Sequence, residues 1–174
     1  MTVEELREET AIELEQLEAT VRELRTLHQD VMGREPTVRE KAAAAAFLAQ
    51  FYNGVENTLK RISRFYDVPL PVGETWHVDL FKRFCSPPHE PLPALFDDSL
   101  ASALAPFRKF RHVVYHSYGF ELDWSRMEEG IARVEDVFLR FKSRLMDYLQ
   151  TLGAIRPGER VGEHRTRNTR GLSP

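Results

Sequence analysis

The stretch TVREKAAAAAFLAQFYNGVENTLKRISRFY, residues 37–66, reads as one long helix with both ends marked. Thr37 followed three residues later by Glu40 is a capping box, in which each side chain satisfies the other residue's backbone N–H. From Ala42 to Ala46 the side chains are small enough for a neighbouring helix to approach closely. Leu48, Phe51, Tyr52, Val55, Leu59, Ile62 and Phe65 then recur at steps of three and four, a buried stripe on a helix of period 3.6. Asp67-Val68-Pro69-Leu70-Pro71 stops it, because proline lacks the N–H that the next turn needs.

The same pattern extends in both directions. Upstream, Glu4 to Met32 forms an amphipathic helix with Leu14, Leu17, Val21, Leu24 and Val31 on one stripe, His28 filling the remaining place, and Gly33 ending it. Downstream, Trp76 to Phe84 is a short helix capped by Thr75, with Trp76, Leu80, Phe81 and Phe84 as core anchors. Proline excludes helix from Ser86 to Pro93, which is a surface connection. A fourth helix is expected from about Leu95 to Ser117, with Leu100, Leu104, Phe107, Phe110 and Val114 inward and Gly119 as terminator. Ser125 with Glu128 is a second capping box, opening a last helix to Gly153 whose stripe is Ile131, Val134, Phe138, Phe141, Leu145, Tyr148, Leu149 and Leu152. No strand pattern and no internal repeat intervene. The fold class is therefore all-α, an up-and-down bundle of four long helices plus one short helix.

The 174 residues suffice for one domain, here residues 1–153, followed by a tail over 154–174. Apolar residues make up 42% and charged residues 29%, and no apolar run approaches the roughly 20 residues of a membrane span. Met1 to Glu9 is acidic where an export signal has a basic start and an apolar stretch, which predicts a cytoplasmic protein. Cys85 stands alone and reads as a small filler. The net charge of −3 is uneven: residues 156–174 carry five Arg and two Glu, a local +3, which leaves −6 on the rest. That tail, with Pro157, Gly158, Gly162, Gly171 and Pro174, reads as a disordered basic extension, either holding phosphate backbones non-specifically or serving as a solubilising tail.

Chemistry concentrates in Phe107-Arg108-Lys109-Phe110-Arg111-His112-Val113-Val114-Tyr115-His116-Ser117-Tyr118. No acid occurs between Asp98 and Glu121, so the end of this helix is a cationic patch suited to phosphate. Two readings follow from the residues alone. His112 and His116, one turn apart, have the spacing of a two-histidine metal site, for which His89 and Asp123 are the nearest further ligands, although Arg108 and Arg111 repel a cation. Alternatively, both histidines are structural, hydrogen-bonded in a helix interface.

A third reading rests on resemblance. Arg111, four intervening residues, His116, then Tyr118 two further on, near the end of the penultimate long helix, resembles the signature of HEPN nucleases, particularly HepT-like toxins. The resemblance covers roughly residues 5–153 and departs at His112, where the family often has Asn. It implies a ribonuclease toxin with Arg111 and His116 catalytic, working as a homodimer with a composite cleft. It further implies neutralisation by a cognate minimal nucleotidyltransferase antitoxin that adenylylates Tyr118, setting phosphate charge beside the cleft to repel RNA.

The side chains suit that chemistry without a metal or other cofactor. RNA carries its own nucleophile, the 2′-hydroxyl. His116 can act as base or acid near neutrality, and Arg111, forked and permanently charged, can hold the scissile phosphate, leaving a 2′,3′-cyclic phosphate. Positions 111 and 116 lie about 140° apart around an ideal helix, so local distortion or a two-fold pairing of motifs must bring the pair to one phosphate. Arg108, Lys109 and His112 are candidate RNA contacts. Glu56, Asn57, Lys60 and Arg64 could line the same cleft or form a solvated face, and His77, His89 and Trp76 read as structural. The competing function is a non-catalytic HEPN-like helical dimer binding nucleotide or a protein partner through the same patch.

Overall fold

The computed structural model describes residues 1–116 and 122–154, with the side chains of residues 115, 116, 153 and 154 left aside. Five helices account for the described chain: α1, Val3–Val31; α2, Val38–Phe65; α3, Trp76–Lys82; α4, Asp98–His116; and α5, Trp124–Ala154. Among the described residues no strand forms, and the only bridge is an isolated parallel one between Cys85 and Phe96. This is the expected all-α bundle. The expected terminator Gly119, the last residue of the expected fourth helix, Ser117, and the tail beyond Ala154 lie outside the described residues.

Each long helix is started by a side chain that satisfies orphan N–H groups. The Thr37–Glu40 capping box opens α2, and a second one, Thr2 with Glu5, opens α1. Two expected caps and one expected helix start are corrected. Thr75 makes no capping bond to the backbone of α3; its hydroxyl donates to Asp79 Oδ2 at 2.9 Å instead. α4 starts at Asp98 rather than near Leu95, because the N–H groups of Leu95 and Phe96 both go to the Phe84 carbonyl at 3.0 Å, while Asp97 Oδ1 accepts from Leu100 N at 2.8 Å. α5 is opened by Asp123, whose Oδ1 accepts from Ser125 N at 3.0 Å, and Glu128 is drawn away to His28 Nε2 at 3.3 Å. A carboxylate is the stronger acceptor, so at α5 Asp123 takes the cap from Ser125.

α1, α2, α4 and α5 close a ring in which α2 packs on α1 and α4, and α5 packs on α1 and α4; α3 sits against α2. Arg7, Glu18, Arg25 and His28 of α1 meet Leu149, Lys142, Glu135 and Glu128 of α5 in reverse order, so these two helices are antiparallel. α1 and α2 are antiparallel too: Glu9 and Glu13 reach Arg61, Glu13 also reaches Asn57, and Leu17 meets Gly54. Gly54 leaves room for a side chain of α1. A Cβ there would lie 2.6 Å from Leu17 Cδ2 and 2.8 Å from its Cγ, so any larger residue would press into the Leu17 side chain. The alanine run contributes only Ala44 and Ala45 to the buried surface.

The stripes read from the sequence make one continuous core. Phe51 of α2 meets Phe107 of α4 edge-on at 5.1 Å, and Phe81, Phe96 and Phe141 form a chain of rings that fixes α3 and the start of α4 against α5. Each fully buried side chain of this size contributes about 1.5–3 kcal/mol. Trp76, expected as an anchor of that core, is only partly buried, because it lies against Lys60 at the rim. No helix among the described residues is long and apolar enough to cross a membrane.

Candidate functional site

Glu56 is the one charged residue among the buried side chains described, at 1% exposure. A carboxylate withdrawn from water must be compensated, and three donors from three helices converge on it. Lys60, one turn along α2, places Nζ 2.9 Å from Glu56 Oε1. His77, on α3, places Nδ1 2.7 Å from Glu56 Oε2. Arg111, on α4, brings Nη1 to 3.5 Å from the same oxygen. Lys60 Nζ also lies 4.7 Å from the centre of the Trp76 ring, whose plane packs against His77.

Arg111 is held further by Asn53 of α2, whose Oδ1 accepts from its Nε. Its Nη1 lies 2.9 Å from His77 Nδ1 and 3.2 Å from Nε2. Nδ1 cannot both donate to Glu56 and accept from Arg111. The buried carboxylate has the greater need, so Nδ1–H donates to Glu56 and Nε2 carries the ring's lone pair.

Arg111 and His77 stand on opposite walls of a groove of about 770 Å³ between α3 and α4. Glu74, Thr75, His77 and Val78 line one wall; Arg108, Lys109, Arg111, His112 and Val113 line the other. The α4 wall carries no acid. The Arg108 guanidinium lies over the Phe81 ring, its Cζ 5.0 Å from the ring centre, and Lys109 and His112 are exposed. Two nearby groups are unsuited to proton transfer or attack: burial pushes the Tyr52 phenol and the Cys85 thiol up, against the opposing pull of Arg108.

Arg111, Arg108, Lys109 and His112 thus come together, and Glu56 and Lys60 join them. Asn57 does not: it faces α1, donating to Glu13 Oε1 at 3.3 Å. Arg64 is exposed, away from the groove's lining. His116 is the last residue of α4, and nothing is described of its side chain; Tyr118 lies outside the described residues. Among the described residues no three His, Cys, Asp or Glu side chains gather as a metal site. His77 and Trp76, read from the sequence as structural, stand at the site, and Asn53 escaped notice. The available signal was Asn53, Glu56 and Lys60 at steps of three and four, a polar line on a helix whose other sides are packed.

A family model described as HepT-like protein matches residues 43–152, from the alanine run of α2 to the end of α5. The chain belongs to the HepT-like family. That span holds the whole groove, both of its walls and the Arg111 to Tyr118 stretch. No curated protein and no solved structure matches this chain. HepT-like proteins are HEPN-type domains of the toxin–antitoxin context, and the activity of the class is nuclease action on RNA.

Proposed function

We propose that this HepT-like chain is a metal-independent endoribonuclease toxin that cleaves RNA through its own 2′-hydroxyl. The observation that carries the reading is Arg111, anchored by Asn53 and Glu56 at the edge of a groove whose α4 wall is wholly free of acids. Arg111 holds the scissile phosphate and neutralises charge growing on it, and His116 transfers a proton. Arg108, Lys109 and His112 hold neighbouring phosphates and set the strand's register. The helical domain, residues 1–153, does the chemistry, and the basic tail, 154–174, adds non-specific attraction.

Two copies of the domain pair so that their motifs face one cleft, which answers the angular offset of positions 111 and 116 on one helix. The protein acts in the cytoplasm, where RNA is the target and a minimal nucleotidyltransferase is the antitoxin. Adenylylation of Tyr118 adds a phosphate anion beside the cleft, and that charge repels the RNA backbone.

The test is total cellular RNA incubated with the purified chain in EDTA. Cleavage by wild type and none by His116→Ala or Arg111→Ala is the expected result. Intact RNA, together with equal growth of cells expressing wild type and His116→Ala, leaves the non-catalytic helical dimer as the reading. Mass spectrometry after co-expression with the nucleotidyltransferase should find AMP on Tyr118; suppressed toxicity without it means neutralisation by binding alone.

A further inference from the structure

Cleavage by 2′-hydroxyl attack needs two proton transfers, one from the attacking oxygen and one to the leaving oxygen, and within one copy the Arg111 to Tyr118 stretch sets one histidine at the expected catalytic place. The described chain holds another within contact of Arg111. We propose that His77 is the general base of this site and that Glu56 is its positioning residue, an inference that rests on the ribonuclease reading above.

Three features of the geometry support it. His77 lines the groove, so its ring meets whatever lies there. Its Nδ1–H is fixed by a carboxylate at 2.7 Å that is itself buried, the arrangement that locks an imidazole in one tautomer with Nε2 as the basic nitrogen. Nε2 lies 3.2 Å from Arg111 Nη1. A phosphate gripped by Arg111 therefore brings its ribose within reach of Nε2.

The step balances as an acid–base exchange without redox change. Nε2 of His77 takes the proton of the 2′-hydroxyl; the 2′-oxygen bonds phosphorus while the bond from phosphorus to the 5′-oxygen breaks. The 5′-oxygen takes a proton from the imidazolium of His116, leaving a cyclic phosphate and a 5′-hydroxyl. Glu56, bound to Nδ1–H, offsets the charge of the imidazolium formed at His77.

The experiment uses the full chain and a short RNA with one mapped cleavage site, in two forms: the ordinary ester, and the same RNA with sulfur in place of the 5′-bridging oxygen at that site. A thiolate leaves without being protonated, so a variant lacking only the acid is rescued by sulfur. His77→Ala and His77→Gln, whose amide still donates to Glu56, should both fall about a hundredfold or more on both RNAs. His116→Ala should fall on the ordinary ester and return to near the wild-type rate on the sulfur form. Wild-type rates for His77→Gln on both RNAs overturn the proposal, as does rescue of His77→Gln by sulfur, which makes His77 the acid. Wild type inert on both RNAs overturns the ribonuclease reading itself.

Discussion

The Glu56 carboxylate of α2 accepts the Nδ1–H of His77 of α3 at 2.7 Å while only 1% exposed, and this one bond joins the core of the bundle to the wall of the groove. Lys60 and Arg111 share the same carboxylate, so its removal leaves three donors facing an empty acceptor. Breaking a fully buried pair costs about 3–5 kcal/mol, and since these partners keep some contact with water the expected loss for Glu56→Ala is nearer 2 kcal/mol. Urea unfolding measures it, with Glu56→Gln falling between. A loss below about 0.5 kcal/mol, the range of an ordinary surface change, contradicts the arrangement.

Gly54 makes a second stability prediction. Side-chain overpacking costs about 1–3 kcal/mol, and leaving glycine's helix penalty returns less than about 1 kcal/mol. Gly54→Val should therefore destabilise, since its Cβ meets Leu17 at 2.6 Å. In the double variant with Leu17→Ala, the two losses should fall short of additive, because each change relieves the other. Strict additivity would show that α1 and α2 do not meet there.

The α2 capping box should be visible in the pH dependence of stability. Arg34 and Thr37 pull the Glu40 carboxyl from 4.5 down to about 2. A depressed folded pKa contributes stability that is fully present above the unfolded value and is lost as pH falls through the folded one. The advantage of wild type over Glu40→Gln should therefore be constant above about pH 5 and shrink toward pH 2. An advantage that stays flat down to pH 2 means the cap and the Arg34 pair do not act on Glu40 as described.

RNA affinity should respond to Lys109 through charge alone. Lys109 lines the groove and is exposed, so Lys109→Gln should weaken binding of an uncleavable RNA similarly across sequences. The slope of log affinity against log salt should flatten by about 0.7, the value for one lost phosphate contact on a single strand. An unchanged slope places the RNA elsewhere.

What the sequence made legible was local. Thr37 and Glu40 lie three residues apart, and the apolar stripes repeat within one helix, so capping box and core face were readable where they stand. The start of α4 was not: Leu95 and Phe96 continue an apolar pattern, and only the distant Phe84 carbonyl shows that their N–H groups are spent on a bridge to the end of the α3 segment. The same division holds at the site. The cationic stretch from Arg108 to His112 is contiguous, whereas Asn53 and His77 reach Arg111 across 58 and 34 residues of chain. Nothing local to His77 marks it apart from His89; it is the packing of α3 on α2 that brings it to Glu56.

The ends of the cleaved RNA test the central claim most directly. The purified chain, in EDTA, should leave 2′,3′-cyclic phosphates and 5′-hydroxyls, with both products absent for Arg111→Ala and His116→Ala. RNA left intact by wild type, or cut to leave 5′-phosphates and 3′-hydroxyls, contradicts attack by the 2′-hydroxyl at this groove.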